Sequence, residues 1–256
     1  MPIIDQTEEA ARELAGLLDK ARRVVALTGA GASAASGVPT YRGAGGAWTR
    51  YDPDKYASID YFRRDPSYYW SFFRDERYPA LVGAGPNPVH FALAELERRG
   101  KIAALVTQNI DGLHQAGGAR RVLELHGNSR RFPCEECGEV HALERVRQLI
   151  DEHLPPRCPA CGAPSLRPDV VLFGEALPAD VLTEAFREMG QADVALVVGS
   201  SLVVHPAASL PLATVRSGGT LVISNIDPTP LDELADLVIR APADRVLPRA
   251  LELMSS

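Results

Sequence analysis

The sequence predicts an α/β protein: a Rossmann-like, doubly wound parallel sheet interrupted twice, with both excursions forming a smaller lobe. Three observations carry this. Short uninterrupted apolar runs alternate with helical stretches, a glycine turn follows the first run directly, and two Cys-x-x-Cys pairs sit in a segment that breaks the rhythm. Strands buried on both faces need continuous apolar runs, and sheets of such strands bind ligands at their carboxyl ends.

Residues 7–23 repeat Ala11, Leu14, Leu17 and Leu18 at helical spacing with charge between them, which predicts an amphipathic helix on the core. Val24-Val25-Ala26-Leu27 reads as a buried strand feeding Thr28-Gly29-Ala30-Gly31. Further strands are predicted over residues 102–106, 194–198, 221–223 and 237–239. Residues 51–78 are rich in aromatics and arginine without alternation and are expected to form short helices capping one edge. Residues 129–167, which hold the cysteines, form the second insertion. No internal repeat or low-complexity linker divides the chain.

Cys134-x2-Cys137 and Cys158-x2-Cys161 use every cysteine of the chain. Each knuckle presents two thiolates about one turn apart, and two knuckles complete a tetrahedron, so one structural zinc ion is expected. Two disulfides or a redox dithiol are the competing readings, disfavoured because no secretory segment precedes them and cytosolic disulfides are rare. Four thiolates close the shell, which leaves His141 and His153 without a ligand role and no thiol as nucleophile. Catalysis is therefore sought elsewhere.

A chain of 256 residues with 46% hydrophobic content buries one core and carries at most a small second module. It has no apolar run of about eighteen residues and no charged-then-apolar N-terminus, so a cytoplasmic protein without a membrane partner is expected. The net charge of −6 argues against bulk nucleic-acid binding and is compatible with a positively charged partner. Arg130, Arg131 and Arg157 are read as a solvated face of the cysteine segment.

Gly29-Ala30-Gly31-Ala32-Ser33-Ala34 fits G-x-G-x-x-A directly after a strand, where glycines permit a tight turn and close backbone approach to a pyrophosphate at a helix N-terminus. Alone, the pattern also describes an ordinary small-residue turn. Its continuation, Ser36-Gly37-Val38-Pro39-Thr40-Tyr41-Arg42-Gly43, interrupts the usual dinucleotide fingerprint with a loop. There Arg42 suits phosphate charge, and Tyr41 suits packing beside a ribose or nicotinamide.

This stretch resembles the cofactor loop of the sirtuins, the NAD-dependent protein deacylases, of bacterial or archaeal type and closest to the Pro-Thr-Tyr/Phe-Arg-Gly subclass. Other elements agree in order: Thr107-Gln108-Asn109-Ile110-Asp111, His126-Gly127, the four cysteines, residues 167–175, Gly199-Ser200-Ser201-Leu202 and Asn225-Ile226-Asp227. The likeness runs from Val24 to Pro248. It implies a single catalytic domain over residues 1–256. A Rossmann-like lobe would comprise 1–42, 90–127 and 168–256; a small lobe would comprise a helical insert, 43–89, and a zinc ribbon, 128–167, with NAD in the cleft between them.

The residues suit that implication. Gln108, Asn109 and Asp111 follow a predicted strand, where amides can hold ribose hydroxyls and a carboxamide, and Asp111 can accept from an amide or hydroxyl. His126 ends an apolar run before a glycine, and its side chain titrates near neutrality, as a general base should. Catalytic roles are implied for His126 and Asn109. Cofactor contacts are implied for Gly29, Ala30, Gly31, Ser33, Thr40, Tyr41, Arg42, Trp48, Gln108, Asn109, Ile110, Asp111, Gly199, Ser200, Ser201, Asn225, Ile226, Asp227 and Ala243. An acyl-lysine peptide would add as a strand between residues 171–175 and 201–204, through Val171, Phe173, Gly174, Glu175, Leu202 and Val203. The implied reaction consumes NAD, releases nicotinamide and moves the acyl group to ADP-ribose. A monomer is expected.

Sirtuins that remove anionic acyl groups carry a Tyr and, three residues later, an Arg after a Trp-x-Phe. Anchored on Trp70-Ser71-Phe72, those places hold Phe73 and Glu76. Acetyl or longer apolar groups are therefore expected, with succinyl-lysine poor unless a helix shift brings Arg74 or Arg77 into the pocket. ADP-ribosyl transfer and a non-catalytic NAD-binding or ADP-ribose-binding module are the alternatives; an intact His126 after a complete Gln-Asn-Ile-Asp favours deacylation. Glycines 43, 45 and 46 would permit a mobile loop over the site.

Overall fold

Seven parallel strands form the central sheet of the computed structural model, which describes residues 2–39 and 46–254. They are β1 (Ile3–Ile4), β2 (Val24–Thr28), β3 (Ile102–Thr107), β4 (Val122–Glu124), β9 (Val194–Val198), β10 (Thr220–Ser224) and β11 (Leu237–Ile239), in the order β1-β11-β10-β9-β2-β3-β4. The remaining strands make two small antiparallel pairs: β5 (Gly127–Asn128) with β8 (Asp169–Val170), and β6 (Arg131–Pro133) with β7 (Val140–Ala142).

Strand β2 explains the continuous apolar runs. All five of its residues are buried. Val24 and Ala26 join the cluster under α1 (Thr7–Lys20), α6 (Pro88–Arg98) and α11 (Ala243–Leu253), whereas Val25 and Leu27 face α9 (Ala179–Gly190) and α10 (Pro211–Arg216). Successive side chains point to opposite faces, so a sheet covered twice requires apolar residues at every position. Each fully buried leucine here, such as Leu27 or Leu105, contributes about 2 kcal/mol.

The first helix ends earlier than its apolar spacing suggests, at Lys20. One Asp193 carboxylate oxygen accepts the backbone N–H groups of both Arg22 (2.9 Å) and Arg23 (3.0 Å), which straightens the chain into β2. Within the central sheet, two strands lie outside the predicted set. Strand β1 is only two residues long, and β4 is a half-buried edge strand ending in Glu124, so neither presents a continuous apolar run.

Residues 53–83 form α2 (Pro53–Tyr56), α3 (Ile59–Arg64), α4 (Ser67–Phe72) and α5 (Tyr78–Gly83), with a π-helical turn, Phe73–Arg77, joining the last two. Between β3 and β4 lies α7 (Leu113–Ala116), and the cysteine segment carries α8 (Leu143–Glu152). The two insertions share one apolar cluster. Trp70 and Phe73 meet Phe132 at ring-centroid distances of 5.9 and 5.3 Å, with Val146, Leu166 and Leu172 around them. Among the described residues no helix is long and apolar enough to cross a membrane.

At the amino ends of the strands, Glu188 is 2% exposed and ion-pairs with Arg23, Arg121 (2.8 Å) and Arg187 (3.2 Å). Burial alone would raise its pKa, but the hydrogen bond and charge of Arg121, aided by Arg23, outweigh it and hold the carboxyl below its usual range. Glu188→Ala takes the carboxylate from Arg23 while Arg121 and Arg187 keep Glu184, and is expected to cost about 2 kcal/mol in denaturant unfolding. A loss under about 1 kcal/mol would mean that the arginines simply turn to solvent.

Candidate active site

The site is built where the chain's direction of winding reverses, between β2 and β9. The loops leaving these strands interlock through three glycines. A Cβ on Gly29 would lie 2.7 Å from the Gly199 carbonyl oxygen, one on Gly31 2.7 Å from Gly199 Cα, and one on Gly199, at φ +63°, 2.3 Å from Ala32 N. Gly29 N–H donates to Val198 O (3.0 Å) and Gly31 N–H to Gly199 O (2.9 Å). Side chains are excluded at all three positions, and of the three Gly31 is exposed at the strands' carboxyl edge. The loop feeds a seven-residue 3-10 helix, Ala30–Ser36, rather than the α-helix that the fingerprint suggests.

Strand β3 delivers the next group. Asn109 Nδ2 donates to Gly29 O (3.0 Å) and to Ser33 Oγ (3.1 Å), and Ser33 Oγ donates to Asp111 Oδ2 (2.7 Å). Asp111 also accepts the Leu113 N–H at 2.9 Å, so it caps α7 as well as facing the loop. Gln108 Nε2 reaches across to Ser200 Oγ at 2.8 Å. These amides and hydroxyls tie the ends of β2, β3 and β9 into one polar array.

His126 follows β4. Its Nδ1 lies 2.9 Å from Gln108 O, an acceptor only, so Nδ1 carries the proton and Nε2 is left bare. Burial lowers its pKa from the ordinary histidine value, with the Gln108 carbonyl pulling the other way. The next residue, Gly127, has φ +74°, and a Cβ there would fall 2.1 Å from Asp169 O. Only glycine permits the β5–β8 pairing that anchors the histidine.

A cleft open to solvent brings together Ala30, Ser33, Asn109, Ile110 and Asp111 from the predicted set. Its far wall is Phe72, Glu76, Arg77, Ala80 and Leu81. Phe73 is fully buried in the aromatic cluster, whereas Glu76 accepts from Tyr51 Oη (2.7 Å) and Arg50 Nη2 (2.9 Å). Arg77 does line the cleft, packed over the rings of Phe72 and Tyr69. This is the helix shift named above as the arrangement that would bear on succinyl-lysine. Its cause is the π turn, which advances the helix phase after Phe72.

Trp48 packs on Phe72 (5.9 Å) and edge-on to Phe173 (6.0 Å). Phe173 is partly exposed and bridges to residue 58 through Ile59 N–H donating to Phe173 O (3.0 Å). Gly174 takes φ +90° beside Ile59. Glu175 is engaged by Arg167 and by the Leu172 N–H, and so holds the loop around Val171. Residues 201–204 are not extended throughout. Leu202 adopts φ +53° and is buried in the sheet cluster, its N–H donating to Ser200 Oγ (3.3 Å), while Val203 stays exposed.

Ser201 is exposed beside buried Ser200. Asn225 Nδ2 donates to Asp227 O (2.8 Å), forming a turn with Ile226 and Asp227 exposed at the end of β10, and Ala243 opens α11. Thr40, Tyr41, Arg42, Gly43 and Gly45 lie outside the described residues. Sequence reasoning missed the layer behind the array: Thr28, Thr107, His90 and His114, all buried. The Asn87-Pro88 helix start with a polar residue at its third position was the available signal. Arg130 is also not a solvated residue. Its Nε donates to Asp111 O (2.8 Å) and its Nη2 to Leu81 O (3.1 Å), bridging the cap and the site, while Arg131 pairs with Asp169 and Glu124.

The four cysteine Sγ atoms lie within 4.8 Å of one another, with Cys134–Cys161 and Cys137–Cys158 both at 3.7 Å. A tetrahedron with Zn–S of about 2.3 Å has edges of about 3.8 Å, whereas disulfides need about 2.05 Å. Cys134, Cys137, Cys158 and Cys161 are therefore placed to bind one structural zinc, which would tie the ends of the ribbon together.

A glycine-interlocked switch point, a polar strand-end array and a zinc ribbon sharing a core with a helical cap define a dinucleotide-binding α/β protein with a metal-stapled insertion. The Sir2 family model matches residues 29–206, and the chain belongs to that family. It is 44% identical over 245 residues to NAD-dependent protein deacylase 2 of Archaeoglobus fulgidus, covering 96% of each chain. It is 46% identical over 243 residues to the NAD-dependent protein deacylase of Pyrococcus furiosus, covering 94% of this chain and 96% of that one. Among solved structures, a Sir2 with a deacetylated p53 peptide and 3′-O-acetyl-ADP-ribose superposes with a TM-score of 0.89 at 41% identity, covering 94% of this chain and 97% of that one.

Metal analysis is expected to return one zinc per chain, and its removal by a strong chelator to lower Tm on the order of 10 °C through loss of the ribbon. An unchanged Tm after metal loss would contradict a structural role.

Proposed function

We propose that the chain is an NAD-dependent protein-lysine deacylase, acting chiefly on acetyl-lysine, that transfers the acyl group to ADP-ribose and releases nicotinamide. The observation that carries the reading is the His126 tautomer: Nδ1 spent on Gln108 O, Nε2 bare, at the carboxyl edge of a sheet whose glycine loop suits a dinucleotide. The relatives' names and the acetyl-ADP-ribose complex support it.

The acyl carbonyl oxygen attacks C1′ of the nicotinamide ribose, and the C1′–N bond breaks with its electron pair leaving on nicotinamide. His126 Nε2 then takes a proton from a ribose hydroxyl, whose oxygen attacks the resulting amidate carbon. Collapse expels the lysine amine with the proton that His126 took, leaving the acyl carbon bridged between the two ribose oxygens. A water then adds to that carbon, passing a proton to the C1′ oxygen as the carbon–oxygen bond there breaks, and the acyl ester remains on the attacking hydroxyl oxygen of ADP-ribose. Asn109 and Asp111 orient the ribose and carboxamide; the loops at 199–201 and 225–227 hold the rest of the dinucleotide, with Ala243 beside the adenine. Trp48 and Phe173 flank the acyl-lysine, whose peptide backbone runs between residues 171–175 and 201–204. The helical insert, 43–89, and the ribbon, 128–167, act as one small lobe over this cleft. We further place the protein in the cytoplasm as a monomer.

Incubation of an acetyl-lysine peptide is expected to yield deacetylated peptide and nicotinamide only when NAD is present; nicotinamide release from a peptide that stays acetylated would favour ADP-ribosyl transfer. His126→Ala should keep the fold and lower kcat at least about 100-fold. The base works only when neutral, so activity should fall with acidity through a pH below the usual 6.5 of histidine, because burial lowers its pKa. An acid limb above 7 would point to a different base.

Acetyl peptide is expected to turn over at least about tenfold faster than succinyl peptide, since Glu76 shares the wall with Arg77. Comparable rates that collapse in Arg77→Met would overturn this and assign an anionic acyl group to Arg77.

A further inference from the structure

Behind the glycine loop lies a buried histidine that the reaction above does not use. His90 and Ser33 are both 0% exposed. His90 is the third residue of α6, whose N-cap is Asn87, and the Asn87 backbone N–H donates to His90 Nδ1 at 3.1 Å. An N–H cannot accept, so Nδ1 is the bare nitrogen and the neutral ring carries its proton on Nε2. Among the described residues that proton has one partner, Ser33 Oγ, 3.3 Å away.

Ser33 Oγ also receives Asn109 Nδ2–H at 3.1 Å. With two donors arriving, the hydroxyl's own proton goes to the remaining neighbour, Asp111 Oδ2, at 2.7 Å. Every direction along His90, Ser33 and Asp111 is thereby set by a backbone N–H three residues upstream. Burial holds His90 below the ordinary histidine pKa, against the pull of Asp111, and the ring of His114 packs edge-on at 4.7 Å.

We infer that His90 is a positioning residue for the dinucleotide, orienting the Ser33 hydroxyl and through it the Asp111 carboxylate and Asn109 amide that face the cleft. The inference rests on reading that cleft as the NAD site. A glutamate or glutamine at this helix position would cap α6 equally well. Glutamate, however, has no donor for Ser33, so histidine performs a second task that a capping role does not require.

The test is a double-mutant cycle read by equilibrium binding of NAD, with KM for NAD and for the peptide measured beside it. His90→Leu is expected to weaken NAD binding about tenfold, the scale of one lost hydrogen bond, while peptide KM stays within about twofold. In a Ser33→Ala background the same substitution should cost less than about twofold. An equal loss in both backgrounds, or a parallel rise in peptide KM, would overturn the inference. Should His90→Leu not fold, His90→Gln and His90→Glu replace it, since both keep the cap. The Gln variant is expected to bind NAD near the unaltered level and the Glu variant at least about tenfold more weakly; equal affinities would overturn the inference. If the unaltered chain binds NAD but leaves acetyl-lysine intact, the deacylase reading fails and this cycle still decides His90 by binding alone.

Discussion

The contact between the loops leaving β2 and β9 is the constraint on which the rest of the site depends. Gly29, Gly31 and Gly199 bring two backbones closer than any side chain permits. That approach puts Gly29 O within reach of Asn109, and Ser200 within reach of Gln108. Once these amides are held, the main chain at Gln108 is held too, and its carbonyl decides which nitrogen of His126 bears a proton. A backbone contact at the switch point thus reaches His126, the proposed base, through hydrogen bonds alone.

A second, buried layer of polar groups lies behind the array. Thr28, Thr107 and His114 close one set of hydrogen bonds under the sheet's carboxyl edge, and burial drives the His114 pKa down to about 3. Neutral imidazoles suit this layer because they bring no buried charge; His114 Nε2 meets Thr28 Oγ1, while its Nδ1 has no partner among the described residues. The layer reaches the cleft through Ser33, against His90, and through the Asn109 N–H, which donates to Thr107 Oγ1.

What the sequence made legible is what local chemistry determines. Uninterrupted apolar runs marked five strands, because burial on two faces leaves no polar position. The cysteine knuckles and the glycine turn carry their chemistry in their spacing. Strands β1 and β4 escaped because two residues and an edge position leave no pattern. The phase after Phe72 escaped because one extra residue in a π turn decides whether Glu76 alone or Arg77 as well reaches the cleft, and no periodicity records it. Arg130 looked like a solvated residue because its partners, the carbonyls of Asp111 and Leu81, are backbone atoms distant in sequence. His90 was hidden for a similar reason: its functional neighbour, Ser33, is 57 residues away.

In the proposed reaction the acyl oxygen itself attacks the ribose, so that NAD is a reactant in deacylation. Acetyl-lysine peptide labelled with 18O in the acetyl carbonyl, turned over in unlabelled water, tests this most directly. The label is expected to leave the acyl carbon and appear at C1′ of the ADP-ribose product, matched by nicotinamide. Label retained in acetate or in the acyl group, with C1′ unlabelled, would mean that water cleaves the amide and that NAD takes no part in the bond making.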